Sequence, residues 1–95
     1  MINFFDCEND IINAIDEINS SPDYSEHCSY EIQSDNQLVL RWSAPSVTEV
    51  FDVMVDGDSL IVYDVDGMLV EEASYGDDVY DVIMSVYGYV RSRHF

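Results

Sequence analysis

TEVFDVMVDGDSLIVYDVDGMLVEEASYGDDVYD, Thr48–Asp81, decides the fold. Apolar residues and carboxylates alternate along it, Asp56-Gly57 and Asp66-Gly67 punctuate it, and no basic residue interrupts it. Alternation with period two is the pattern of a strand with one buried face, and Asp-Gly is a tight-turn dipeptide whose glycine can take a positive φ. The stretch therefore reads as three short antiparallel strands, Glu49–Val55, Ser59–Asp64 and Met68–Glu72, running into a helix that starts near Tyr75-Gly76. Inner faces make the core and outer faces carry negative charge. In the first strand Phe51, Val53 and Val55 oppose Val50, Asp52 and Met54. The continuous apolar run Leu60-Ile61-Val62-Tyr63 leaves the faces of the second unassigned and is compatible with cover on both sides. In the helix, Val79, Val82, Ile83, Val86 and Val90 form the buried stripe, with Asp77, Asp78 and Asp81 on the opposite side. Gly88 is expected to weaken or end it, and Arg91, Arg93 and His94 lie at its C-terminal end, where positive charge is favoured.

Upstream, His27–Ser34 alternates Cys28, Tyr30 and Ile32 with Ser29, Glu31 and Gln33, and reads as a strand. Asp35-Asn36 turns the chain into Gln37–Ser43, where Leu38, Leu40 and Trp42 share one face and Val39 and Arg41 the other. Ala44-Pro45-Ser46 breaks that hairpin. From Cys7 to Asn19, Ile11, Ile12, Ile15 and Ile18 recur at helical spacing. Asp6 is the expected N-cap, Asn19-Ser20-Ser21-Pro22 the stop, and Phe4 and Phe5 are expected to pack beneath the entry. The expected architecture is α+β: an antiparallel sheet of about five short strands flanked by an N-terminal and a C-terminal helix, with one or both helices on a single face.

Ninety-five residues, 47% of them hydrophobic, fit one domain spanning 1–95 and are apolar enough to fold. The charge is the outlier. Twenty Asp and Glu stand against three Arg, with no Lys, for a net charge of −17. Solubility of a small domain needs a net charge of magnitude only about 2–8, so the excess calls for another explanation. Direct DNA or RNA binding, which needs basic groups to displace counterions, is not expected. Cys7 and Cys28 do not form the spacing of a disulfide framework or a zinc site and read as reduced packing residues, with a bridge between the two as the lesser alternative. The opening MINFFDCEND shows neither a basic leader nor a long apolar run, so a cytoplasmic location is expected, in the host cell if the chain is phage-encoded.

Leu60–Val70, LIVYDVDGMLV, resembles the nucleophile motif of haloacid-dehalogenase-type phosphatases, an apolar strand ending in Asp-x-Asp-Gly. That resemblance implies Asp64 as nucleophile and Asp66 as general acid. Met68 departs from the motif, and the later Lys and parallel strands of that family are missing, so a hairpin turn explains Asp66-Gly67 better. An EF-hand alignment on Gly67 puts Val62 at the first liganding position and Ala73 at the last, and fails. His27 and Cys28 are adjacent on a strand and point to opposite faces, which does not suit a base and its nucleophile. Neither catalysis nor a cofactor is expected.

What remains is the distribution of carboxylates. Outward side chains two apart on a strand are separated by about 6.6 Å, close to the roughly 6.8 Å spanned by two phosphate steps of a DNA strand. Asp52, Asp56, Asp58, Asp64, Asp66, Glu71, Glu72, Asp77, Asp78 and Asp81 could thus stand in for a nucleic-acid backbone, with tyrosines such as Tyr63 and Tyr80 anchoring the contact and stacking on Arg. In size, composition and strand-rich acidic character the whole chain resembles the DNA-mimic inhibitors of phages and mobile elements, anti-restriction and anti-CRISPR proteins among them. The resemblance implies a stoichiometric inhibitor, monomer or homodimer, whose partner is a basic nucleic-acid-binding protein: a host defence nuclease or a CRISPR effector subunit. The alternative is an immunity protein or antitoxin that neutralises a basic toxin nuclease.

Overall fold

The structure, a computed structural model, describes residues 3–20, 27–44, 47–57, 59–73 and 78–94. The expected order is found. Helix α1 (Glu8–Asn19) is followed by β1 (His27–Ser34), β2 (Gln37–Ala44), β3 (Val47–Asp56), β4 (Ser59–Asp64), β5 (Leu69–Ala73) and helix α2 (Val79–His94). The strands form one antiparallel meander in the order β1-β2-β3-β4-β5. No described helix is long and apolar enough to cross a membrane.

Both helices lie on one face of the sheet. Ile11, Ala14, Ile15 and Ile18 of α1 and Val79, Val82, Ile83, Val86, Tyr87 and Val90 of α2 form a single buried cluster with Cys28, Leu38, Leu40, Trp42, Phe51, Val53, Leu60 and Val62 of the strands. Cross-strand register explains why these side chains converge: Cys28 pairs with Trp42, Leu40 with Phe51, and Leu38 with Val53, which in turn pairs with Val62. Residues directly opposite share a face, so one row fixes the whole covered side. Phe51 sits between two edge-on ring contacts, to Trp42 at 5.5 Å and to Tyr89 at 6.0 Å.

The ends differ from the expectations. Cys7, not Asp6, occupies the cap position of α1 and makes no side-chain cap bond; the backbone instead turns in through Cys7 N–H to Asn3 C=O. Phe4 is fully buried, whereas Phe5 is 58% exposed and Ile12 is 36% exposed. Ala14 completes the stripe instead of Ile12, because the buried arc of a helix of this length holds Ile11, Ile15 and Ile18 with a small residue between them. Helix α2 runs through Gly88 to His94: the burial of Val86, Tyr87 and Val90 outweighs the roughly 1 kcal/mol by which glycine weakens a helix. The expected start of that helix at Tyr75-Gly76 lies outside the described residues.

Turn chemistry fixes the sheet's corners. Gly57 and Gly67 have φ of 59° and 80°, the left-handed region that only glycine enters without strain. The Asp35-Asn36 turn has no positive φ, and a register shift between Ile32 and Ser34 takes up the misfit. That turn is pinned from two sides, by Phe4 N–H to Asp35 C=O and by Val55 N–H to Asn36 C=O. At the free edge of β1 the Asn19 amide bonds both backbone groups of Cys28, at 2.9 and 2.7 Å, doing what a neighbouring strand would do.

Candidate functional site: the acidic faces

The sequence-derived acids fall in separate places. On the face of the sheet away from the helices, one register row crosses all five strands: Glu31, Val39, Asp52, Tyr63 and Leu69. A second row holds Gln37, Met54, Ile61 and Glu72. Asp56 extends the same face of β3, two steps beyond Met54. Asp52, Asp56, Tyr63 and Glu72 are therefore brought together. Val39, only 7% exposed, lies among them and outside the main core cluster, so this face has a small apolar centre of its own.

Asp64 and Glu71 are not on that face. Asp64 pairs with the buried Phe51 and Glu71 with the buried Val62, which places both on the helix side, contrary to the expected outward projection. A register shift between Val62 and Tyr63 reverses the phase within β5, and the apolar run of β4 holds no polar residue by which the sequence could reveal it. Asp64 is engaged in the turn: its Oδ1 accepts the backbone N–H of Asp66 and of Met68, each at 2.9 Å. In this chain Asp-x-Asp-Gly is a hairpin corner locked by its first carboxylate. Asp66 is exposed at the tip, beside Val65, Met68 and Leu69, which are 72%, 65% and 59% exposed.

Asp78 and Asp81 are exposed on α2, and Asp78 Oδ1 caps it by accepting the Asp81 N–H at 2.8 Å. Asp81 faces Glu71 across a cleft of about 240 Å³, lined also by Ala73, Val82 and Ser85. Glu71 Oε2 is shut off from solvent with no hydrogen-bond partner among the described residues. Tyr80 turns toward α1 and donates to Glu17 Oε2, so it ties the helices together instead of standing free. Asp58, Asp77 and Tyr75 lie outside the described residues. Acids are also exposed on and just before α1, at Asp6, Asp10, Asp16 and Glu17.

The cations are used internally. Arg41 lies 3.6 Å from Glu31, Arg93 lies 3.5 Å from Glu49, and Arg91 and Arg93 stack over Tyr87 and Tyr89 at 5.3 and 5.4 Å. The Tyr89 hydroxyl, which accepts from Arg93, and the nearby Glu49 hold that guanidinium above its ordinary range. Tyr30 donates to Glu8 at 2.8 Å, and this bond holds its hydroxyl above the ordinary tyrosine range; Tyr80 is raised in the same way by Glu17. Cys7 and Cys28 are not bridged to one another, and Cys28 is buried. Burial, helped by Asp10, pushes the Cys7 thiol up and away from the reactive thiolate. Among the described residues no three His, Cys, Asp or Glu side chains are placed to hold a metal ion.

Comparison with protein-family models, with curated proteins and with solved structures found no match to this chain.

Proposed function

We propose that the chain is an acidic protein inhibitor that acts in the host cytoplasm as a DNA mimic, occupying the nucleic-acid groove of a defence nuclease, restriction enzyme or CRISPR complex. One observation carries the reading: the three arginines of a chain with net charge −17 are all engaged with its own carboxylates and rings, leaving a negative field without a basic counterweight. Such a field steers a protein toward a Lys- and Arg-lined groove, raises the association rate and disfavours nucleic acid or an anionic membrane as partner. The mechanism is competitive and asks for no catalysis. Asp52, Asp56, Glu72 and the exposed Asp66, Asp78 and Asp81 take the place of phosphates.

A second reading has an observation in its favour. The open face of the sheet mixes Val39, Met54 and Ile61 with its acids, and so fits a compact docking contact as well as a long backbone imitation. An immunity protein or antitoxin that covers a basic toxin nuclease beside its active site would use such a patch.

The test is displacement. Added in excess to restriction enzymes and CRISPR effector complexes preloaded with labelled DNA, the chain should release DNA from its target in a mobility-shift assay, with an inhibition constant that weakens steeply as salt rises. A complex that holds the chain and the DNA together at saturation overturns groove competition.

A further inference from the structure

Resting on the reading of a cationic protein partner, we infer that the helix-free face of the sheet is the docking surface. The partner seats an apolar patch on Val50, Met54, Ile61 and Tyr63 and brackets it with arginines on Asp52, Asp56 and Glu72. The register puts most of these residues side by side: Asp52 faces Tyr63, Met54 faces Ile61, and Ile61 faces Glu72, while Val50 faces Arg41, whose guanidinium lies by Glu31. The helices pack on the other side, so the side chains of these rows are left to the solvent face, Met54 at 38% exposed. An apolar centre within a charged rim is the anatomy of a protein interface. The aromatic member, Tyr63, offers a ring for a guanidinium, a contact the chain already makes twice internally.

Charge selects the occupant. A second copy would set Asp52, Asp56 and Glu72 against the same residues across a twofold axis, in a chain of net charge −17, and like-charge juxtaposition opposes that pairing. Phosphates of nucleic acid or lipid headgroups meet the same repulsion. Only a surface with Arg or Lys around an apolar patch satisfies both the rim and the centre.

The experiment uses the full chain and three synthetic octapeptides, alternating Arg-Leu, Arg-Ser and Leu-Ser, followed by amide chemical shifts and calorimetry at about 0.02 and 0.3 M salt, where the Debye length falls from roughly 20 to 6 Å. The expected result is that Arg-Leu binds at least tenfold more tightly than Arg-Ser, survives the higher salt, and shifts amides of residues 50–56 and 59–63. Met54→Ser should weaken Arg-Leu binding and leave Arg-Ser binding unchanged, whereas Phe5→Ser should change neither. If Arg-Leu and Arg-Ser bind alike, or the shifts fall on the helices or the edge strands, this surface is wrong while the cationic partner stands. If Leu-Ser binds as tightly as Arg-Leu, or dilution of the chain alone moves the same amides, the occupant is wrong. If no arginine peptide binds at low salt, the reading of a cationic partner falls with it.

Discussion

Arg93 Nη1, near the end of α2, stands 3.5 Å from Glu49 Oε2 on β3, and the Glu49 side chain is only 14% exposed. The same guanidinium donates to the Tyr89 hydroxyl at 2.9 Å, and the Tyr89 ring meets Phe51 edge-on. One cation thus latches the last turn of the helix to the sheet. Removing it takes the facing guanidinium away from a mostly buried carboxylate, and that destabilises the fold. Because Arg93 itself is about half exposed, Arg93→Ala is expected to give a modest drop in the urea midpoint. Adding Glu49→Gln to Arg93→Ala should recover part of the loss; a double variant less stable than the sum of the singles would contradict the latch.

The Asp64 carboxylate is a turn device, and its role can be separated from chemistry. Hydrogen bonds to a charged acceptor are worth about 1.5–3 kcal/mol, so Asp64→Ala should destabilise the chain by about 2 kcal/mol through loss of both N–H contacts. Asp64→Asn keeps an oxygen in the same place and should lose about half as much. Equal losses would mean that the two backbone bonds are not what the residue provides.

Much of this fold was legible because turns bound the strands. The limits of His27–Ser34 and Ser59–Asp64 are legible in the sequence, since Asp35-Asn36 closes the first, Asp-Gly pairs flank the second, and the alternation between is clear or the run compact. Phase was lost where polarity gave no mark. β4 is apolar on both faces, so neither it nor the shifted β5 revealed that Asp64 and Glu71 turn toward the helices. On β3, by contrast, Phe51, Val53 and Val55 set the phase, and Asp52 and Asp56 lie opposite them as read. The sequence shows Tyr80 as an anchor beside acids and hides its partner, because Glu17 is 63 residues away and becomes a neighbour only when both helices occupy one face. Helix-to-helix pairing of that kind leaves no local pattern.

Alkaline pH should loosen the fold through Tyr30. Its hydroxyl donates to Glu8, so the folded state holds the phenolic proton above the ordinary value of 10.0. Below that pH both states are protonated and the contribution is fully present. As pH rises, the unfolded chain loses the proton first, and the stabilisation fades through the higher folded value. Unfolding free energy should therefore fall as pH rises above about 10, and Tyr30→Phe, weaker at neutral pH, should show a flatter alkaline limb. Tyr80 acts in the same direction through Glu17, so the double variant should be flatter still.

Salt should stabilise the isolated chain. The molecule measures 36 × 27 × 21 Å, and at 0.01 M ionic strength the Debye length is about 30 Å, so nearly every carboxylate feels every other. At 1 M it is about 3 Å and the repulsion of a −17 chain is screened. The melting midpoint should climb by several degrees between those limits in sodium chloride. Calcium chloride at equal ionic strength should raise it by a similar amount; a much larger rise would reveal specific ligation by the carboxylates.

Charge reversal can locate the working acids, provided that it avoids those that build the fold. Asp64 and Asp78 hold a turn and a helix cap, and Glu17 holds Tyr80, so reversing them would mix binding with stability. Asp52 and Asp56 lie on the open face of β3, whereas Asp10 and Asp16 are exposed on α1. Each double change to Lys moves the net charge by the same four units, from −17 to −13, so long-range steering weakens alike in both. A defined docking face then predicts that Asp52→Lys with Asp56→Lys reduces affinity for an arginine-rich target by more than tenfold, mainly through faster dissociation. Asp10→Lys with Asp16→Lys should change it less than threefold and act on the association rate. Surface plasmon resonance at two salt concentrations separates the two effects, and equal losses in the two variants would mean that net charge alone, without a geometric site, drives the binding.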